Sequence, residues 1–182
     1  MTRRSDTFVA LEERTASANR EGADLFLSIH VNASEDERAR GIETYFLNFA
    51  PSPAAEAIAA RENAASARTM RQLPDIVKAI ALNNKIDESR DFASLVQSAL
   101  IDRTRRSNAS VKDLGVKQAP FMVLIGATMP SILAEISFLT NSQEAALLRA
   151  PAYRQQVAEA LFAGVMQYQR SLKTAPGTVA SQ

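Results

Sequence analysis

Cysteine is absent, which excludes disulfide cross-links and thiol nucleophiles; a chain without it suits reducing and oxidising compartments alike, so this fixes no location. No apolar run approaches the ~20 residues that span a bilayer, and the start Met1-Thr2-Arg3-Arg4-Ser5-Asp6 lacks the apolar segment of a secretory signal. As written, the chain is not expected to be exported or to cross a membrane. An excess of either charge is also missing: 21 Lys and Arg stand against 20 Asp and Glu, and no basic block carries interleaved aromatics. Charge therefore indicates neither nucleic acid nor an anionic membrane as a partner. Glycine-rich phosphate loops and serine nucleophile elbows are absent too, Gly126-Ala127-Thr128 being too short to count. What remains is 182 residues, enough for one domain with a single core, without an internal repeat.

Histidine occurs once, at His30, near the end of Leu25-Phe26-Leu27-Ser28-Ile29-His30-Val31-Asn32. Read as a strand, this run puts Leu25, Leu27, Ile29 and Val31 on one face and Ser28, His30 and Asn32 on the other. Ahead of it, Leu11, Thr15 and Ala18 recur at helical spacing between Val9 and Arg20, and Gly22 stops the helix. After a charged loop at Ser34 to Arg38, Gly41 to Leu47 is β-branched and aromatic, a second strand. Pro51-Ser52-Pro53 breaks the chain, and Ala54 to Met70 is an Ala-rich helix with few large apolar groups, expected to form readily and dock weakly. A short helix is expected from Leu73 to Leu82 and a turn at Asn83-Asn84. From Ile86 to Arg106, Phe92, Leu95, Val96, Ala99 and Leu100 give the clearest amphipathic pattern.

Strand character returns at Gly115, with Pro120 to Ile125 a buried-strand candidate. Ser131 to Phe138 is a further strand with Ile132, Ala134, Ile136 and Phe138 on its apolar face and Glu135 opposite. Asn141 or Ser142 caps a following helix, and Tyr153, Val157, Leu161, Gly164 and Tyr168 line a final one; residues 171–182 carry no core pattern and read as a disordered tail. Alternating strands and helices give an α/β fold, a mostly parallel or mixed twisted sheet flanked by helices.

Two residues stand out chemically. His30 reads either as an ordinary hydrogen-bonded side chain or as a metal ligand or proton carrier at a strand end. Glu135, a carboxylate centred in an apolar strand, carries a large desolvation cost unless it meets a cation, a metal or a reacting group. Brought to one sheet rim, the pair suits metal-assisted hydrolysis, the metal polarising a carbonyl and the carboxylate shuttling a proton. Glu62, on the Ala-rich helix, reads as a solvated helix face or as a lid contact. Glu43 reads as a surface residue or one behind the ligands.

The stretches Leu11-Glu12-Glu13-Arg14-Thr15 with Ala18-Asn19, Gly22 to Ala33, Arg40-Gly41-Ile42-Glu43-Thr44-Tyr45, Ala60-Arg61-Glu62-Asn63-Ala64, Gly115 to Leu124 and Met129 to Asn141 stand in one ordered series. Together, from Arg3 to about Arg170, they resemble the zinc-dependent N-acetylmuramoyl-L-alanine amidases, specifically the cell-division type of Gram-negative bacteria. The resemblance implies a periplasmic catalytic domain over residues 1–170 that uses zinc. It implies hydrolysis in peptidoglycan of the amide between N-acetylmuramic acid and the L-alanine of the stem peptide. His30 matches a zinc ligand and Glu135 the catalytic glutamate. Residues from about 51 to 110 match a helical regulatory insertion that covers the zinc until an activator protein with a LytM-type domain moves it. Glu62 falls there, as a regulatory or additional metal contact.

The family's first zinc histidine, in a glycine-rich loop, and a glutamate ligand in the next helix both precede the segment matched by Met1-Thr2-Arg3. The expectation is therefore an N-terminally truncated catalytic domain with an exposed sheet edge, weak zinc binding and little activity. The alternative is an inactive fragment or a non-catalytic module binding peptidoglycan or the activator. A zinc carboxypeptidase-like enzyme is less well matched, because its paired ligand motif is missing.

Overall fold

The computed structural model describes residues 1–64, 77, 78 and 80–174. Helix α1, Leu11–Arg20, buries Leu11, Thr15 and Ala18 on one face, and the Thr15 hydroxyl donates to the Val123 carbonyl. Gly22 ends it at φ +60, a left-handed conformation that glycine adopts without strain. Strand β1, Phe26–Asn32, follows, then β2, Ile42–Leu47, and helix α2, Pro53–Asn63. Helix α3 spans Ile86–Thr104, β3 Asp113–Ala119 and β4 Ser131–Phe138; helices α4, Ser142–Arg149, and α5, Pro151–Thr174, complete the described chain.

The strands form one mixed sheet in the order β1-β4-β2-β3. Within it β1 runs parallel to β4 and β2 parallel to β3, while β2 and β4 are antiparallel. One face, with Ile42, Ile132, Ala134 and Ile136, is buried under Phe92, Val96 and Leu100 of α3 and Tyr153, Val157, Leu161 and Tyr168 of α5. On the other face Phe26, Tyr45, Leu47 and Leu133 pack with Leu11 of α1, Ala59 of α2 and the 121–125 segment. The central strand β4 is buried along its whole length, each large apolar side chain contributing roughly 1.5–3 kcal/mol.

Helices α3 and α5 meet at Gly164, where an added Cβ would lie 2.7 Å from Val96 Cα. Alanine in a helix is worth up to ~1 kcal/mol over glycine. Here the obstacle is backbone that cannot turn aside, and overpacking of this kind costs about 1–3 kcal/mol. Gly164→Ala is thus expected to lower Tm in a thermal melt; an unchanged or raised Tm contradicts the close approach.

Several expectations are corrected. Residues 120–125 are buried but do not form a strand: Met122–Leu124 is a 3-10 turn, and the strand is the preceding segment, β3. Pro120 has no N–H to give a ladder, and an apolar run buried on all sides has no alternation to identify it. On β1 the polar stripe is the buried one: Ser28 and Asn32 are buried whereas Ile29 and Val31 are 53% and 37% exposed. This strand lies at the sheet edge, and of its apolar face Leu25 and Leu27 pack into the helical layer.

Within residues 51–110, α3 packs in the helical core layer, while α2 lies on the opposite face against β3 and the 122–124 turn, where Ile80 is also buried. Helix α5 continues through Ser171 to Thr174, into the stretch read as a tail; 175–182 lie outside the described residues, as do 65–70 of the Ala-rich helix and most of the expected Leu73 to Leu82 helix.

Candidate metal centre

The sheet register assembles the centre. Parallel pairing of β1 with β4 sets His30 beside Glu135, and antiparallel pairing of β2 with β4 sets Glu43 on the other side of Glu135. Three polar side chains thus form one row across three strands, with neighbouring Cβ atoms about 5 Å apart. Burial increases inward along it: His30 is part-buried, Glu135 is 0% exposed.

Helix α2 brings the fourth group. Ser52 caps its N-terminus by accepting from the Ala55 N–H at 3.3 Å, and Pro53 enters the first turn, where its missing N–H costs nothing. Ala55 and Ala59 are buried against the sheet side. The helix end is tied by consecutive side chains. Arg61 donates to the Ala33 carbonyl, while Asn63 donates to the Pro120 carbonyl at 2.9 Å and accepts from the Met122 N–H at 2.8 Å. Between them Glu62 Oε2 stands 2.5 Å from His30 Nδ1. The weak docking expected from small side chains is therefore offset by polar ties, and Glu62 does not face solvent as a free helix residue: its side chain is 25% exposed.

His30, Glu62 and Glu135 each offer one ligand atom, and these atoms lie within 4.8 Å of one another. His30 Nε2 and both carboxylate oxygens of Glu135 are buried without a hydrogen-bond partner among the described residues. Buried polar groups are nearly always satisfied, and leaving one unpaired costs about 1–3 kcal/mol. An imidazole nitrogen and carboxylate oxygens converging in this state fit a divalent cation such as zinc by donor chemistry.

Burial pushes the Glu135 carboxyl up to about 8, reinforced by the negative charges of Glu62 and Glu43 and opposed by Arg61. The unfolded chain gives up this proton near 4.5 and the folded chain near 8, so between those values the unfolded state binds fewer protons. Stability of the metal-free chain should then fall as pH rises through that window. Thermal melts across it, with a chelator present, are expected to show a part of the slope that Glu135→Gln removes; equal slopes in the two proteins contradict the shift.

Glu43 is not a surface residue, and protein donors occupy both of its carboxylate oxygens. It is 1% exposed, its Oε1 accepting from Asn32 Nδ2 at 2.8 Å and from the Tyr45 hydroxyl at 2.9 Å, its Oε2 from Lys117 Nζ at 2.5 Å. Burial, then the Glu43 charge, pushes the Tyr45 phenol well above its usual range. Sequence reasoning missed Asn32, Lys117, Arg61 and Asn63. Asn32 was within reach, since period-two spacing sets it on the face of His30; Lys117 needed the β2–β3 register.

The family model for N-acetylmuramoyl-L-alanine amidase matches residues 1–167. YqiI of Bacillus subtilis is 34% identical over 167 residues, covering 92% of this chain and 62% of YqiI. The N-acetylmuramoyl-L-alanine amidase AmiA of Escherichia coli K12 is 32% identical over 172 residues, covering 92% of this chain and 60% of AmiA. The crystal structure of the N-acetylmuramoyl-L-alanine amidase from Clostridium difficile 630 superposes with a TM-score of 0.68 at 29% identity, covering 93% of this chain and 70% of that one. The chain spans about three-fifths of the length of these two curated relatives. A family model matched over most of the sequence, on a mixed α/β sheet of the same shape, settles the family: this chain belongs to the N-acetylmuramoyl-L-alanine amidases.

Proposed function

We propose that this domain hydrolyses peptidoglycan at the amide joining the lactyl group of N-acetylmuramic acid to the L-alanine of the stem peptide. The observation that carries the reading is the unpartnered, converging donor set of His30 and Glu135 in one register row. Family membership and the relatives' names supply the substrate. His30 would hold the zinc, with Glu62 as a further donor in the arrangement described here. When bound, zinc polarises the scissile carbonyl and acidifies water. Glu135, in its ionised form, takes a proton from the attacking water. It returns that proton to the L-alanine nitrogen as the C–N bond breaks, leaving a lactyl carboxylate and a free amine. In the metal-free chain the Glu62 contact at Nδ1 fixes the orientation of the imidazole ring.

Helix α2 acts as the regulatory element. Its end lies on the centre through Glu62, held by Arg61 and Asn63, so a LytM-type activator that draws α2 away would expose the reacting groups. Periplasmic location and a part in cell division belong to the same proposal.

With Glu135 reserved for proton transfer, His30 and Glu62 are two donors among the described residues, against the three usual in a catalytic zinc site. That count favours a second reading for the chain acting alone, a non-catalytic module that binds peptidoglycan or the activator, and weak zinc binding either way. Incubation with purified cell wall, with and without added zinc, separates the two by mass spectrometry of the products. Zinc-dependent appearance of L-alanine amino termini supports the enzyme. Binding without such products supports the module, and cleavage of a different bond contradicts both.

A further inference from the structure

Glu43 and Glu135 are cross-strand neighbours in an antiparallel pair, a placement in which two carboxylates repel. Their surroundings differ. Glu43 has three donors, Asn32, Tyr45 and Lys117, whereas Glu135 has none among the described residues. Lys117 stands on β3, level with Tyr45 and on the face that carries Glu43. Two strand spacings across and two residues along put its Cα about 12 Å from that of Glu135, a span that a lysine stem and a glutamate side chain bridge between them. A part-exposed ammonium with two buried carboxylates in reach pairs with the nearer, and Glu43 lies between Lys117 and Glu135.

We propose that Glu43 is a positioning residue that intercepts the Lys117 ammonium and so keeps it off Glu135. Asn32 and Tyr45 anchor the intercepting carboxylate from one side, leaving Oε2 for Lys117. The consequence is that the Glu135 oxygens stay clear of a competing ammonium and open to a cation or a reacting water. This role rests on Glu135 being the proton carrier, but the test below uses folding alone, so its failure and that of the hydrolase reading are distinguishable.

The experiment is a mutant cycle read by thermal melts of the metal-free chain. Lys117→Met is expected to lower Tm in the wild type. It should still lower Tm by about 2–4 °C in the Glu43→Gln background, the shift for a modest coupling in a domain of this size, because Lys117 has moved onto Glu135. In the Glu43→Gln/Glu135→Gln background the same change should have no effect. Lys117→Met without effect once Glu43 is neutral, or equally costly after both acids are removed, overturns the proposal. Should Glu43→Gln not fold, side-chain NMR of the wild type decides: an immobilised Lys117 ε-methylene is expected, and a freely averaging one overturns it.

Discussion

Glu135→Gln is expected to lower zinc-dependent release of L-alanine termini from cell wall by about 10²–10⁴-fold, the usual loss when a positioned general base is removed. That corresponds to roughly 3–5 kcal/mol of transition-state stabilisation. The same substitution should hold or raise Tm above pH 8. It replaces a fully buried carboxyl whose ionised form is disfavoured by burial and two neighbouring acids with a neutral group of the same shape. Opposite signs for rate and stability separate a reacting group from a structural one. Initial rates and melts on one preparation check both, and a variant that keeps the wild-type rate removes Glu135 from the mechanism.

The second large effect is on stability, at a residue remote from the chemistry. Glu144, in the first turn of α4, is 3% exposed and accepts from the Gly41 N–H at 2.9 Å, the Phe138 N–H at 2.7 Å and the Ser137 hydroxyl at 3.1 Å. It ties the start of β2 to the end of β4, next to the strand pair that sets Glu43 beside Glu135. Gly41 has no room to adjust: its φ is +124, and an added Cβ would meet the Lys112 carbonyl at 2.5 Å. Glu144→Ala strands three buried donors at about 1–3 kcal/mol each. Such losses do not add fully, so a total of about 3–5 kcal/mol is expected. At about 2–4 °C per kcal/mol, Tm should fall by about 10 °C, whereas Glu144→Gln, which keeps an acceptor, should lose much less. Urea unfolding of the two variants measures this; equal and small losses would show that the donors find other partners.

What could be read from the sequence follows the range of the forces involved. The strand at Ser131 to Phe138, the α1 face of Leu11, Thr15 and Ala18, the Asn141 cap and the α5 stripe through Gly164 are set by local periodicity and capping, and each stands where its pattern puts it. The register that sets His30 beside Glu135 is a pairing of distant segments, and no local pattern specifies it; resemblance to a family gave the pair its roles, and the sheet its adjacency. Glu43 illustrates the opposite limit. An acid in a strand reads as exposed because burial costs so much, and the donors that make burial tolerable come from β1, β2 and β3 together. Similarly, a short Ala-rich helix shows weak apolar docking in its composition, while the ties of Arg61 and Asn63 depend on backbone groups in other segments.

The proposed chemistry needs a cation centre shared by β1, β4 and α2. Anomalous diffraction at the zinc edge, from crystals equilibrated with an excess of zinc to offset a short donor set, tests it most directly. The expected result is one strong peak among His30, Glu62 and Glu135. Zinc bound only elsewhere on the chain, with His30 and Glu62 still in direct contact, would contradict it.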